Sequence, residues 1–113
     1  MSAALGKYHN RKINTNYGKF DSRKELNRFR ELSLLQRAGE ISGLQRQVRF
    51  ELIPAFRDQS GRVVERACYY VADFVYMENG NRVVEDAKGV RTKEYIIKRK
   101  LMLWVHNIRI QEV

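Results

Sequence analysis

The dipeptide Asn79-Gly80 constrains this chain more than any other feature. Both residues accept the left-handed backbone of a two-residue hairpin turn, and an apolar run lies on each side. The run "RVVERACYYVADFVYME" before the turn and "NRVVEDAK" after it therefore read as antiparallel neighbours. Around "YYVADFVY" the first run is apolar on both faces, the pattern of a central strand. Asp73 breaks that pattern, with Val71 and Val75 on its own face. A buried carboxylate needs a partner, because burial without one is costly or forces a proton onto it. The hairpin supplies a neighbour. Asp73 and Asp86 stand at matching distances from the turn, so they meet at the far end of the strand pair. Asp86 and Lys88, two residues apart, leave the strand on one face.

The remaining elements follow from periodicity. Ser22 and Glu25 have the spacing of a capping box, and Leu26, Phe29, Leu32 and Leu35 suggest a helix over about 22–37 that ends at Gly39. In "LQRQVRFELIPAF" Val48, Phe50 and Leu52 alternate with Gln47, Arg49 and Glu51, a half-buried strand ending near Pro54. "DQSG" is a turn, and residues 62–78 read as one long strand. Thr92 is positioned to cap a second helix, with Ile97, Leu101, Trp104 and Val105 as its apolar stripe and Glu94–Lys98 as a favourable pair. "NIRIQEV" closes the chain as a strand. The expected fold is mixed α/β: an αβββαβ core with one mixed sheet flanked by two helices. Residues 19–113 make the domain. Residues 1–18 precede it as a basic N-terminal arm or a short hairpin, with Asn16 and Gly18 as turn residues.

Charge narrows the function. Lys and Arg number 22 against 13 Asp and Glu, a net charge of +9. A small basic domain usually meets a polyanion, most often nucleic acid. Two stretches concentrate the excess, one before and inside the first helix and one from Arg91 to Lys100. Cys68 is alone, so neither a disulfide nor a cysteine zinc site is expected. His9 and His106 are isolated, which disfavours zinc chemistry. No apolar run is long enough to span a bilayer, and the first residues lack the apolar segment of a signal peptide. The expectation is a cytoplasmic protein without a membrane partner.

Two carboxylates held together repel unless a cation sits between them. Lys88 supplies one positive charge, and Mg²⁺, which prefers hard oxygen ligands and keeps several waters, supplies more. Such a site can cut a phosphodiester.

Here the sequence resembles a family. Asp73 followed by Asp86-Ala87-Lys88 at the end of the hairpin is similar to the Asp…(Asp/Glu)-x-Lys motif of the PD-(D/E)xK, or restriction-endonuclease-like, nucleases. Holliday-junction resolvases and the transposon-end nuclease TnsA belong to that superfamily. The αβββαβ order matches its core. The stretches "KFDSRKE", "ADFVY", "VVEDAKG" and "TKEYIIKRKL" also resemble a phage-encoded family of small nuclease-like proteins. Ala72 stands where the motif's proline would be.

The resemblance implies a Mg²⁺-dependent endodeoxyribonuclease, with Mn²⁺ as a substitute, acting on branched or Holliday-junction DNA in phage replication or recombination. The expected setting is the bacterial host's cytoplasm, with a replication or recombination protein as a further partner. Asp73, Asp86 and Glu25 are the implied metal ligands together with the Ala87 carbonyl, and Lys88 assists the attacking water. Cutting both strands of a junction needs two sites, which points to a homodimer. Lys7, Arg11, Lys12, Arg23, Gln47, Arg91 and Lys93 are the candidate DNA contacts.

Blander readings stand beside these. Glu25 could serve only as a helix cap, and Gln47 could simply face solvent. Glu85 points away from Asp86 and reads as an ordinary polar residue. Tyr69, Tyr70, Phe74, Tyr76 and Trp104 read as core. A non-catalytic DNA-binding accessory protein, or a nuclease subunit active only in a larger complex, would carry the same basic surface.

Overall fold

The computed structural model describes residues 12–88 and 90–113. Lys7 and Arg11 lie outside the described residues. The elements run β1 (Ile13–Thr15), β2 (Gly18–Phe20), α1 (Arg23–Arg37), β3 (Ser42–Ile53), β4 (Phe56–Arg57), β5 (Val63–Glu65), β6 (Cys68–Glu78), β7 (Asn81–Asp86), α2 (Lys93–His106) and β8 (Gln111–Glu112). Four strands form the main sheet in the order β3-β6-β7-β8. Neighbours are antiparallel except β8, which runs parallel to β7 after the α2 crossover. The fold is mixed α/β with two helices on a mixed sheet, as expected. Among the described residues no helix is long and apolar enough to cross a membrane.

The Asn79-Gly80 turn forms as the sequence demands, with φ +52° and +79°. Both helices begin at the anticipated caps: Ser22 Oγ accepts from Glu25 N at 3.1 Å and Thr92 Oγ1 from Tyr95 N at 3.1 Å. Gly39 follows α1 with φ +81°, a conformation that glycine takes without steric cost. The strand expected over 62–78 is broken. Its first part, β5, pairs with β4 in a separate two-stranded hairpin, and β6 starts at Cys68. Pro54 lacks an N–H and cannot continue the β3 ladder, so the chain leaves the sheet there.

Two helical stripes also differ from expectation. Leu26 and Leu32 are buried but Leu35 is 37% exposed. Leucines spaced by three fall behind the helical repeat by roughly 60° per step, so the stripe winds off the core face. In α2 the buried residues are Tyr95 and Met102, while Ile97 and Trp104 face solvent, Trp104 at 87% exposure. The core face of α2 carries Lys98 and Arg99, both half-buried and paired with Glu94 and Glu112. Those charges disguised it; Leu101 of the expected stripe does pack against the core, together with Ile96.

The core has two parts. Phe50, Leu52, Tyr70, Ala72, Val75 and Val84 pack with Tyr95 and Met102 of α2. Phe74, Tyr76, Val83 and Ile41 pack with Leu32 of α1. In a regular strand Ala72 and Phe74 would share a face. Here they do not, and on β3 Leu44 and Val48 are divided in the same way. Both strands exchange faces between these residues while keeping their register, Arg46 opposite Phe74 and Val48 opposite Ala72. The exchange is centred on Gln47, whose φ is +53°, and on Asp73 across from it. It also explains why Val71 is 42% exposed while Val75 is buried.

Candidate active site

The recorded β6–β7 pairing ends at Phe74 and Glu85, one step short of Asp73 and Asp86. There the Ala87 N–H donates to Asp73 Oδ2 at 2.8 Å, so a side chain takes over from the ladder. The fork opens into a cavity of about 320 Å³ lined by Glu25, Asp73, Asp86, Ala87, Lys24 and Lys88, together with the caps Ser22 and Thr92. The N-termini of α1 and α2 thus both border it. Helix N-termini favour negative charge.

Each carboxylate is anchored by one oxygen and presents the other. Glu25 Oε1 accepts from Asp21 N at 2.8 Å, and its Oε2 accepts from Gln47 Nε2 at 2.9 Å. Asp73 is held through Oδ2, and its Oδ1 faces the same Gln47 amide at 3.3 Å. Asp86 Oδ2 accepts from the Tyr70 hydroxyl at 2.5 Å, and its Oδ1 lies 3.4 Å from Lys88 Nζ. Glu25 therefore caps the helix and reaches the site at once. The cap uses the Asp21 N–H, one residue before Ser22.

Burial, followed by the neighbouring Glu25, pushes the Asp73 carboxyl up to about 6 from its ordinary 3.8. Burial also pushes Asp86 up to about 6, and Asp73 adds to it while Tyr70 and Lys88 oppose it. Burial and the bond to Asp86 raise the Tyr70 hydroxyl. The site holds negative charge against its own environment, which is the usual signature of a functional cluster.

The all-oxygen donor set suits a hard cation. Among the described residues no three His, Cys, Asp or Glu side chains converge closely enough to hold an ion unaided. That is compatible with Mg²⁺, which is commonly bound by one or two carboxylates with water and substrate phosphate completing its shell. Asp73 and Asp86 are the pair best placed, with Glu25 beside them. The Ala87 backbone lies in the cavity wall.

Several residues differ from the sequence reading. Glu85 is not an ordinary polar residue: it is fully buried. Arg28 grips it with Nε at 2.8 Å and Nη2 at 2.7 Å, and the Tyr76 hydroxyl also donates to it. That pair fastens α1 to β7 one helical turn from Glu25. Gln47, a candidate DNA contact in the sequence, is exposed and bridges two carboxylates. Lys24, in sequence one member of the first basic cluster, lines the cavity and donates to the Lys88 carbonyl at 2.9 Å. Its sequence signals are that cluster and its place beside Glu25. Tyr70 was missed, and the exchange of strand faces that brings it to Asp86 has no signature in alternation. Arg91 is engaged by Glu112. Lys12, Arg23 and Lys93 are exposed, Arg23 and Lys93 as the first residues of the two helices.

The chain belongs to the family described as a protein of unknown function (DUF1064), whose model matches residues 5–111. Comparison with curated proteins and with solved structures gave no match.

Proposed function

We propose that this chain is a divalent-metal-dependent endodeoxyribonuclease of the PD-(D/E)xK type. One observation carries the reading. Asp73, Asp86 and Glu25 line one cavity, each bound to the scaffold through one oxygen; the second oxygens of Glu25 and Asp73 face Gln47 and that of Asp86 faces Lys88. When bound, Mg²⁺ would neutralise charge on the phosphate and acidify a water.

The protein's own groups divide the remaining work. The Ala87 N–H fixes Asp73 and the Tyr70 hydroxyl fixes Asp86, so both carboxylates are oriented before substrate arrives. The Lys88 ammonium, 30% exposed, can orient the attacking water or stabilise the developing anion. Lys24 and the two helix N-termini draw a phosphate into the cavity. Branched DNA, two copies acting together, Mg²⁺ with Mn²⁺ as a substitute, and a replication or recombination partner in a phage-infected cell complete the proposal.

A second reading has an observation of its own. Lys88 and Gln47 already contact the three presented oxygens, so the cluster could be a closed structural network on a DNA-binding protein. Incubation of wild type and Asp86→Asn with labelled branched and linear DNA plus Mg²⁺ separates the two. The nuclease reading expects wild type to cut and the variant to bind without cutting. Equal binding with no cutting by either, on any substrate and with any partner fraction added, rejects it.

A further inference from the structure

We propose that Gln47 is a positioning residue that sets the affinity of this site for a divalent cation, because its amide bridges Glu25 and Asp73 and competes with the cation for their oxygens. The inference rests on the reading of the cavity as a cation site.

Gln47 is singular in two independent ways. Its backbone is left-handed, φ +53°, in the interior of β3. A non-glycine residue holds that conformation only where its surroundings over-determine it, and such strain collects at functional sites. Its side chain also gives Nε2 to two acids, Glu25 Oε2 at 2.9 Å and Asp73 Oδ1 at 3.3 Å. The primary amide has two hydrogens, so it can serve both carboxylates at once. A neutral donor placed between two anions does in part what a cation does fully: it offsets their repulsion.

The two occupants exclude one another. A cation seated between these oxygens takes the place of the amide and repels its N–H hydrogens. Gln47 is itself exposed, so its amide can swing into water without opening the core. A cation on Asp73 Oδ1 displaces the hydrogen bond from the Gln47 amide to that oxygen, and the one to Glu25 as well where Glu25 also ligates, so the measured affinity is weakened by their worth. The left-handed step keeps residue 47 over Asp73 while Leu44 and Val48 pack into different parts of the core. Backbone geometry thereby supports the bridge.

The test is a calorimetric titration of Mn²⁺ into wild type, Gln47→Ala and Gln47→Gly at neutral pH without DNA, with circular dichroism as a check on folding. Glycine accepts positive φ freely, so the Gly variant removes the amide and relieves the backbone together. Both variants should bind Mn²⁺ several-fold more tightly than wild type. Unchanged or weaker binding in a folded variant overturns the proposal, since a merely structural glutamine, or one acting as a ligand, gives that result. Wild type that binds no Mn²⁺ overturns both this inference and the nuclease reading. Wild type that binds, with variants that do not tighten, overturns this inference alone.

Discussion

Asp86→Asn should make the protein more stable while removing its activity. Asp86 is 3% exposed, and burial with the nearby Asp73 raises its carboxyl from 3.8 to about 6. At ~1.4 kcal/mol per tenfold change, that gap sets a ceiling of about 3 kcal/mol on the cost of keeping the charge at neutral pH. Asparagine still accepts from Tyr70 but gives up the 3.4 Å contact with Lys88. That attraction is already contained in the net shift, so the ceiling is lowered instead by the solvent that reaches the site, by about 1 kcal/mol. The expected gain is about 1–2 kcal/mol at about pH 7.5, or roughly 5 °C in Tm for a domain of this size.

The sign of the pH dependence follows from proton counting. The folded carboxyl titrates above the unfolded one, so the folded state holds the extra proton between about pH 4 and 6. Wild-type stability then falls as pH rises through that window, and the variant's advantage grows over the same range. Urea unfolding at about pH 4, 6 and 7.5 in EDTA, followed by circular dichroism, measures it. An advantage that vanishes near pH 4 supports the account. A variant less stable than wild type at neutral pH refutes it, since Asp86 would then be half of a favourable structural ion pair.

Other predictions follow from the same contacts. Arg28→Ala leaves the fully buried Glu85 with the Tyr76 hydroxyl as its side-chain partner among the described residues and should cost about 3–5 kcal/mol in urea unfolding. Adding Glu85→Met to that variant should recover part of the loss, and strict additivity would contradict a coupled pair. Lys88→Ala should lower the cutting rate by about 10²–10³-fold while Mn²⁺ binds at least as tightly as in wild type, read by single-turnover kinetics and calorimetry. The single tryptophan, Trp104, is 87% exposed, so its fluorescence should be red-shifted and readily quenched by acrylamide; a blue-shifted, shielded emission would show it buried in an assembly.

Much of this architecture is legible in the sequence because its signals are local. Asn79-Gly80 fixes the β6–β7 hairpin, and that hairpin alone brings Asp73 to Asp86. Ser22, Gly39 and Thr92 mark helix ends through backbone groups that lie within a few residues. What resisted reading depends on distant partners. Glu85 looks like any polar strand residue until Arg28, far along the chain, folds over it. The core face of α2 is masked by Lys98 and Arg99, whose charges are offset by Glu94 and Glu112. Tyr70 and Gln47 join the site because two paired strands exchange faces together, and period-2 patterning presumes that they do not. The carboxylates were thus recoverable from spacing, whereas the groups that hold them were not.

The central claim is that Asp73 and Asp86 jointly bind a divalent cation. Crystals soaked in MnCl₂ and measured at the manganese edge test it most directly. The account predicts an anomalous peak between the two carboxylates, about 2.0–2.2 Å from one oxygen of each, with the Gln47 amide displaced. No peak at saturating Mn²⁺, with Lys88 and Gln47 still on their acids, would contradict it.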